Sequence, residues 1–81
     1  MEMSQITTRI RELPLAAALA SCGFEVQDTV RDMSGRLDFT FLLSDELERL
    51  VRAYWADTLD VKARTYSDNI KALKSRVYSE R

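Results

Sequence analysis

Residues 24–43 read Phe24-Glu25-Val26-Gln27-Asp28-Thr29-Val30-Arg31-Asp32-Met33-Ser34-Gly35-Arg36-Leu37-Asp38-Phe39-Thr40-Phe41-Leu42-Leu43, and this stretch decides the fold. Leu37, Phe39, Phe41 and Leu43 alternate with Asp38, Thr40 and Leu42. A period of two gives a strand one buried face. Over 24–31, Phe24, Val26, Asp28 and Val30 alternate with Glu25, Gln27, Thr29 and Arg31, with Asp28 the misfit on the apolar side. Asp32-Met33-Ser34-Gly35 between the runs is turn chemistry, so the two runs are expected to form a β-hairpin. Leu37, Phe39 and Phe41 are expected to face helices. Arg9, Glu25, Gln27, Thr29, Asp38, Thr40 and Leu42 are expected on an open sheet face.

Outward from the hairpin, the upstream chain supplies a strand and a helix. Ile6, Thr8 and Ile10 alternate within residues 5–11, which predicts a short strand. Residues 13–22 predict a helix, with Pro14 in its first turn and Leu15, Ala18, Leu19 and Cys22 on one stripe. Gly23 follows as the residue that can take a left-handed C-terminal position. Downstream, Ser44 can cap a helix whose apolar stripe is Leu47, Leu50, Val51 and Tyr54, with Trp55 covering the core edge. A last helix is expected from about Ala63 to Tyr78, with Ala63, Tyr66, Ile70, Leu73 and Val77 as its stripe. The expected fold is a single α+β domain over residues 1–81, in the order β-α-β-β-α-α. A small three-stranded antiparallel sheet would carry the helices on one face.

Three stretches carry a family resemblance. They are Leu13-Pro14-Leu15-Ala16-Ala17-Ala18-Leu19 leading to Gly23-Phe24-Glu25; Phe39-Thr40-Phe41 followed by Leu47, Leu50, Val51, Ala53, Tyr54 and Trp55; and Val61-Lys62-Ala63-Arg64-Thr65-Tyr66 followed by Lys71-Ala72-Leu73-Lys74-Ser75-Arg76-Val77-Tyr78. In their order and spacing the chain resembles a family of small uncharacterised bacterial and phage proteins, known only as a domain of unknown function. It departs from that pattern with Glu12 where an Asp tends to precede the first helix, and with Ala63 where a Pro is common. The resemblance implies a phage or mobile-element setting and brings no catalytic residues with it.

Composition excludes several classes. Of 81 residues, 46% are hydrophobic and 31% charged, and Gly and Pro together number three, which is not the make-up of a disordered or low-complexity chain. No apolar run approaches the roughly 18–20 residues that span a bilayer, and Met1 to Arg11 has no apolar core of a secretory signal, so a cytoplasmic protein is expected. One Cys and no His leave neither a zinc framework nor an internal disulfide. Without His, the Ser-His-Asp and Cys-His arrangements are ruled out. Cys22, near the C-terminus of an Ala-rich helix, is expected to be an inert core thiol, since helix N-termini stabilise thiolates and C-termini do not. Gly23 and Gly35 cannot build a phosphate-binding loop. Asp45, Glu46 and Glu48 suit the positive end of a helix dipole rather than a metal. No enzyme activity, cofactor or metal is expected.

Charge is divided unevenly. Residues 1–61 hold 6 basic and 11 acidic side chains, a balance of −5, whereas residues 62–81 hold 6 and 2, a balance of +4. At about 100° per residue, Arg64, Ser67, Lys71, Lys74 and Tyr78 share one sector of the last helix beside its apolar stripe. Cations, a hydroxyl and an aromatic together suit an acidic protein surface or a nucleic-acid backbone. An ordinary solvated helix face carries the same residue types. These five are the candidate binding residues. The expected function is that of a non-enzymatic binding protein that occupies a surface of a host protein or nucleoprotein complex, as anti-defence inhibitors do. Two alternatives are a direct nucleic-acid binder using the last helix and a sponge for a nucleotide signal. Self-association through the open sheet face or an edge strand is a further expectation.

Overall fold

The hairpin forms, and its second strand becomes the centre of the sheet. The computed structural model describes residues 6–79. Along the chain run β1 (Thr7–Ile10), α1 (Leu13–Ser21), β2 (Asp28–Arg31), β3 (Leu37–Leu42), α2 (Asp45–Trp55) and α3 (Ala63–Ser79). The sheet order is β1-β3-β2, with both pairings antiparallel. This is the expected α+β fold in the expected order. Gln5 of the expected first strand, and Glu80 and Arg81 of the C-terminal charge count, lie outside the described residues.

The core side of the sheet follows the alternation of β3. Ile10, Leu37, Phe39 and Phe41 are buried with Leu15, Ala16, Ala17 and Leu19 of α1, Leu47 of α2 and Leu73 of α3. Apolar area removed from water is the main stabilising term, at roughly 25 cal/mol per Å².

The first hairpin strand departs from its expected form in length and in facing. Regular pairing covers only Asp28–Arg31. Thr29 pairs with Phe39 and Arg31 with Leu37, so these two lie on the helix side, whereas Asp28 pairs with Thr40 and Val30 with Asp38 on the opposite face. Phe24 and Val26 nevertheless pack on the core. The cause is one extra residue: the Gln27 N–H donates to the Thr40 carbonyl at 2.8 Å, although Thr40 already has Asp28 as its ladder partner. Two residues opposite one make a bulge, and beyond it every side chain changes face.

Nor is the sheet face opposite the helices as open as expected. Asp38 is only 1% exposed and Thr40 is also buried. Arg9 lies 3.1 Å from Asp38, and Arg11 lies 3.6 Å from it and 3.3 Å from Asp32, so two β1-side arginines cover the short side chain of the central strand. The Thr40 hydroxyl donates to the Asp28 carbonyl at 3.2 Å. A buried carboxylate needs such partners, because an unpaired one is expensive to desolvate.

Helix α1 is enclosed rather than amphipathic. Leu15, Ala16, Ala17, Ala18 and Leu19 are all buried. The sheet lies beneath it, α2 and α3 flank it, and Ala18 lines a cavity of about 350 Å³ together with Tyr54, Asp57, Leu59, Val61 and Tyr66. Alanine makes this feasible, since its small side chain allows close approach at no cost in helix propensity. Asn69 of α3 donates to the Ser21 hydroxyl at 3.0 Å, and that hydroxyl donates to the Ala17 carbonyl, tying α3 to the end of α1.

Helix α2 starts as expected, with Leu47 N–H donating to the Ser44 hydroxyl at 3.0 Å. Its stripe is anchored by buried Leu47. Trp55 does not cover the core: it is 61% exposed and meets Tyr54 edge-on, the ring centroids 5.1 Å apart. On α3, Leu73 is buried and Tyr66, Ile70 and Val77 are half-buried, whereas Ala63 is exposed at the first turn and does not join the stripe.

Candidate functional site

The five candidate residues on α3 are all exposed. Arg64 to Tyr78 covers fourteen helical steps, about 21 Å of surface at 1.5 Å per residue. The core stripe uses Tyr66, Ile70, Leu73 and Val77, which leaves Arg64, Ser67, Lys71, Lys74 and Tyr78 on the adjoining side. Arg64, Lys71 and Lys74 make no ion pair among the described residues.

The structure brings only two of the five into a concavity. Lys74 and Tyr78, with Val77 between them in the chain, form one wall of a groove of about 370 Å³. The opposite wall comes from Arg11 and Leu13 before and at the start of α1 and from Gly35, Arg36 and Leu37 at the hairpin turn, with Phe39 beneath. Arg64, Ser67 and Lys71 lie outside it, farther along the helix. Arg11 and Arg36 are therefore candidate site residues that the helical spacing missed. They lie far from Lys74 in the chain, and no local period connects them. Among the described residues, three cations, one tyrosine and an apolar floor line this groove, and no carboxylate does.

Asp32 positions the arginine-bearing turn. Its Oδ1 accepts from the Ser34 N–H at 2.9 Å, the Ser34 hydroxyl at 2.6 Å and the Arg36 N–H at 3.0 Å. The Ser34 hydroxyl first, and then the Arg36 N–H, hold its carboxyl below the usual range. Gly35 closes the turn with φ at +89°. Arg36 is thus fixed at the backbone while its side chain is exposed beside Lys74 and Tyr78.

Other chemistry is sparse. Cys22 is half-buried at the C-cap of α1, not within the core, and burial and then the Glu46 charge push its thiol upward. Burial, followed by Tyr66 and Glu12, raises the Tyr54 hydroxyl. Asp45, Glu46 and Glu48 occupy the first turn of α2, where Glu46 pairs with Arg49. Among the described residues, no group of three or more Cys, Asp or Glu could hold a metal ion, and no helix is long and apolar enough to cross a membrane.

No curated protein and no solved structure matches the chain. A family model does match, over residues 5–79, and it is described as Domain of unknown function (DUF5659). The chain belongs to that family.

Proposed function

We propose that the domain is a non-enzymatic binding module that occupies a surface of a larger protein or nucleoprotein complex through α3. In a phage or mobile-element setting the target would be a host complex, and occupation would inhibit it. The observation that supports this reading is the exposed cation row Arg64, Lys71 and Lys74, without an ion pair among the described residues, on the side of α3 that the core does not use. Such a row meets acidic surface directly and speeds encounter with it.

Changing Lys71 and Lys74 together to Glu tests it. Stability should stay within about 1 kcal/mol, as at exposed sites. Affinity for the captured partner should fall roughly 10-fold or more, because each reversal removes an attraction and adds a repulsion. Binding by the parent should weaken with salt, since exposed charges are screened over about 10 Å at 0.1 M. An unchanged affinity in the double variant would return α3 to ordinary solvation.

A nucleic-acid reading has one observation of its own: the Tyr78 ring is 62% exposed next to Lys74, the pairing that stacks and holds a single strand. Capture from lysate with and without nuclease separates the two, because a nucleic-acid ligand is lost on digestion. Strong absorbance near 260 nm in the purified protein would favour nucleic acid or a bound nucleotide signal.

A further inference from the structure

We infer that the groove between the hairpin turn and the C-terminal half of α3 is an anchor site for an acidic protein segment bearing one large apolar side chain. This rests on the reading of α3 as the contact face and names the chemistry of what it contacts.

The floor and the rim of the groove call for different halves of such a ligand. Leu13, Leu37, Phe39 and Val77 come from three separate elements and make an apolar floor. A side chain entering it gains from leaving water. The volume, about 370 Å³, is at the lower end of the range of about 300–1,000 Å³ typical of ligand pockets, which suits one anchor rather than an enclosed substrate. On the rim, Arg11 is already engaged by Asp32 and Asp38. Arg36 and Lys74 form no ion pair among the described residues, so they are the two that meet carboxylates of the partner.

The same lining disfavours a nucleotide. A base is read by hydrogen bonds to its edges, and Leu13, Leu37, Phe39 and Val77 offer no side-chain donor or acceptor. A peptide needs only burial of its anchor and charge on its flanks. Interfaces commonly concentrate their affinity in one anchor of that kind, with a polar rim excluding water around it.

The test is a titration of the whole protein, followed by amide NMR, with the blocked peptide Asp-Glu-Phe-Asp-Glu. Expected are shifts at Leu37, Val77 and Tyr78, about 10-fold weaker binding when the peptide Phe is replaced by Ala, and a similar loss for Arg36→Glu, an exposed loop change. AMP serves as the nucleotide probe. Shifts in the groove with AMP but not with the peptide would overturn the inference. So would the absence of groove shifts at about 1 mM peptide, which half-fills a site with a Kd of about 1 mM. Equal binding of the Phe and Ala peptides, with shifts spread along Arg64 and Lys71, would leave the cationic-face reading standing and remove the anchor. Failure of the Lys71 and Lys74 reversal would instead remove the face itself, so the two failures are distinguishable.

Discussion

Gly23 and Asp57 end their helices by the same device at different conformational cost. After α1, the Phe24 N–H donates to the Leu19 carbonyl and the Gly23 N–H to the Ala20 carbonyl. After α2, the Thr58 N–H donates to the Ala53 carbonyl and the Asp57 N–H to the Tyr54 carbonyl. Both are Schellman endings, which require a left-handed residue, here Gly23 at φ +100° and Asp57 at φ +62°. A side chain there costs roughly 1–2 kcal/mol, less for Asp than for most residues. A Cβ on Gly23 would meet nothing within 4 Å, so the backbone alone sets the cost of substitution. Gly23→Ala should therefore lose about 1 kcal/mol in a urea titration. Asp57→Gly should gain about 0.5–1 kcal/mol by the same reasoning in reverse. A neutral Gly23→Ala would mean that α1 ends by another route in solution.

At the scale of elements, α1 sets the limit on what can be changed. Its five consecutive buried residues pack among the sheet and both other helices. Ala17 is 0% exposed, so a larger side chain there enters the packed interior. Ala17→Leu should destabilise by about 1–3 kcal/mol, the usual cost of overpacking, despite leaving helix propensity nearly unchanged. Thermal unfolding measures it, and a loss under about 0.5 kcal/mol would mean that the neighbours of Ala17 repack freely. Of the stripe Leu15, Ala18, Leu19 and Cys22 expected from spacing, the first three are buried and Cys22 is only half-buried, and the burial of Ala16 and Ala17 was not readable. Alanine carries too weak a hydropathy signal to say which side of a helix is covered.

For the whole molecule, thinness is the governing fact. The principal extents are 37 × 32 × 20 Å, so the shortest dimension holds one sheet and one helical layer, each about 10 Å. One shared core serves every element, with Phe39 and Phe41 its largest fully buried side chains. Phe39→Ala should cost about 3–5 kcal/mol, a large share of a domain stability of about 5–15 kcal/mol. Calorimetry should show the transition lowered by 10 °C or more, since about 1 kcal/mol moves a domain this size by roughly 4–8 °C. A drop of less than about 5 °C would place the ring at a less critical point than its burial implies. The same thinness makes the concavities surface grooves, which suits the contact role proposed above.

Local signals in the sequence determined the order of elements, the hairpin, the Ser44 cap, the Gly23 ending and the buried face of β3. Each of these depends on neighbours within a turn or a pleat, and periodicity reports such neighbours directly. The cation row of α3 was legible for the same reason, because helical spacing places Arg64, Lys71 and Lys74 on one side. Tertiary structure alone decided the rest. A single residue opposite Thr40 reversed the facing of β2, and alternation carries no mark of where a bulge will fall. Asp38 became buried because Arg9 of β1 and Arg11 just after it reach the neighbouring central strand, a pairing fixed by strand order rather than by spacing. Arg36 joined Lys74 and Tyr78 in one groove because packing brought the hairpin turn against the far end of α3. Contacts between residues distant in the chain are set by how the layers close over a shared core, and that closure is a property of the assembled fold.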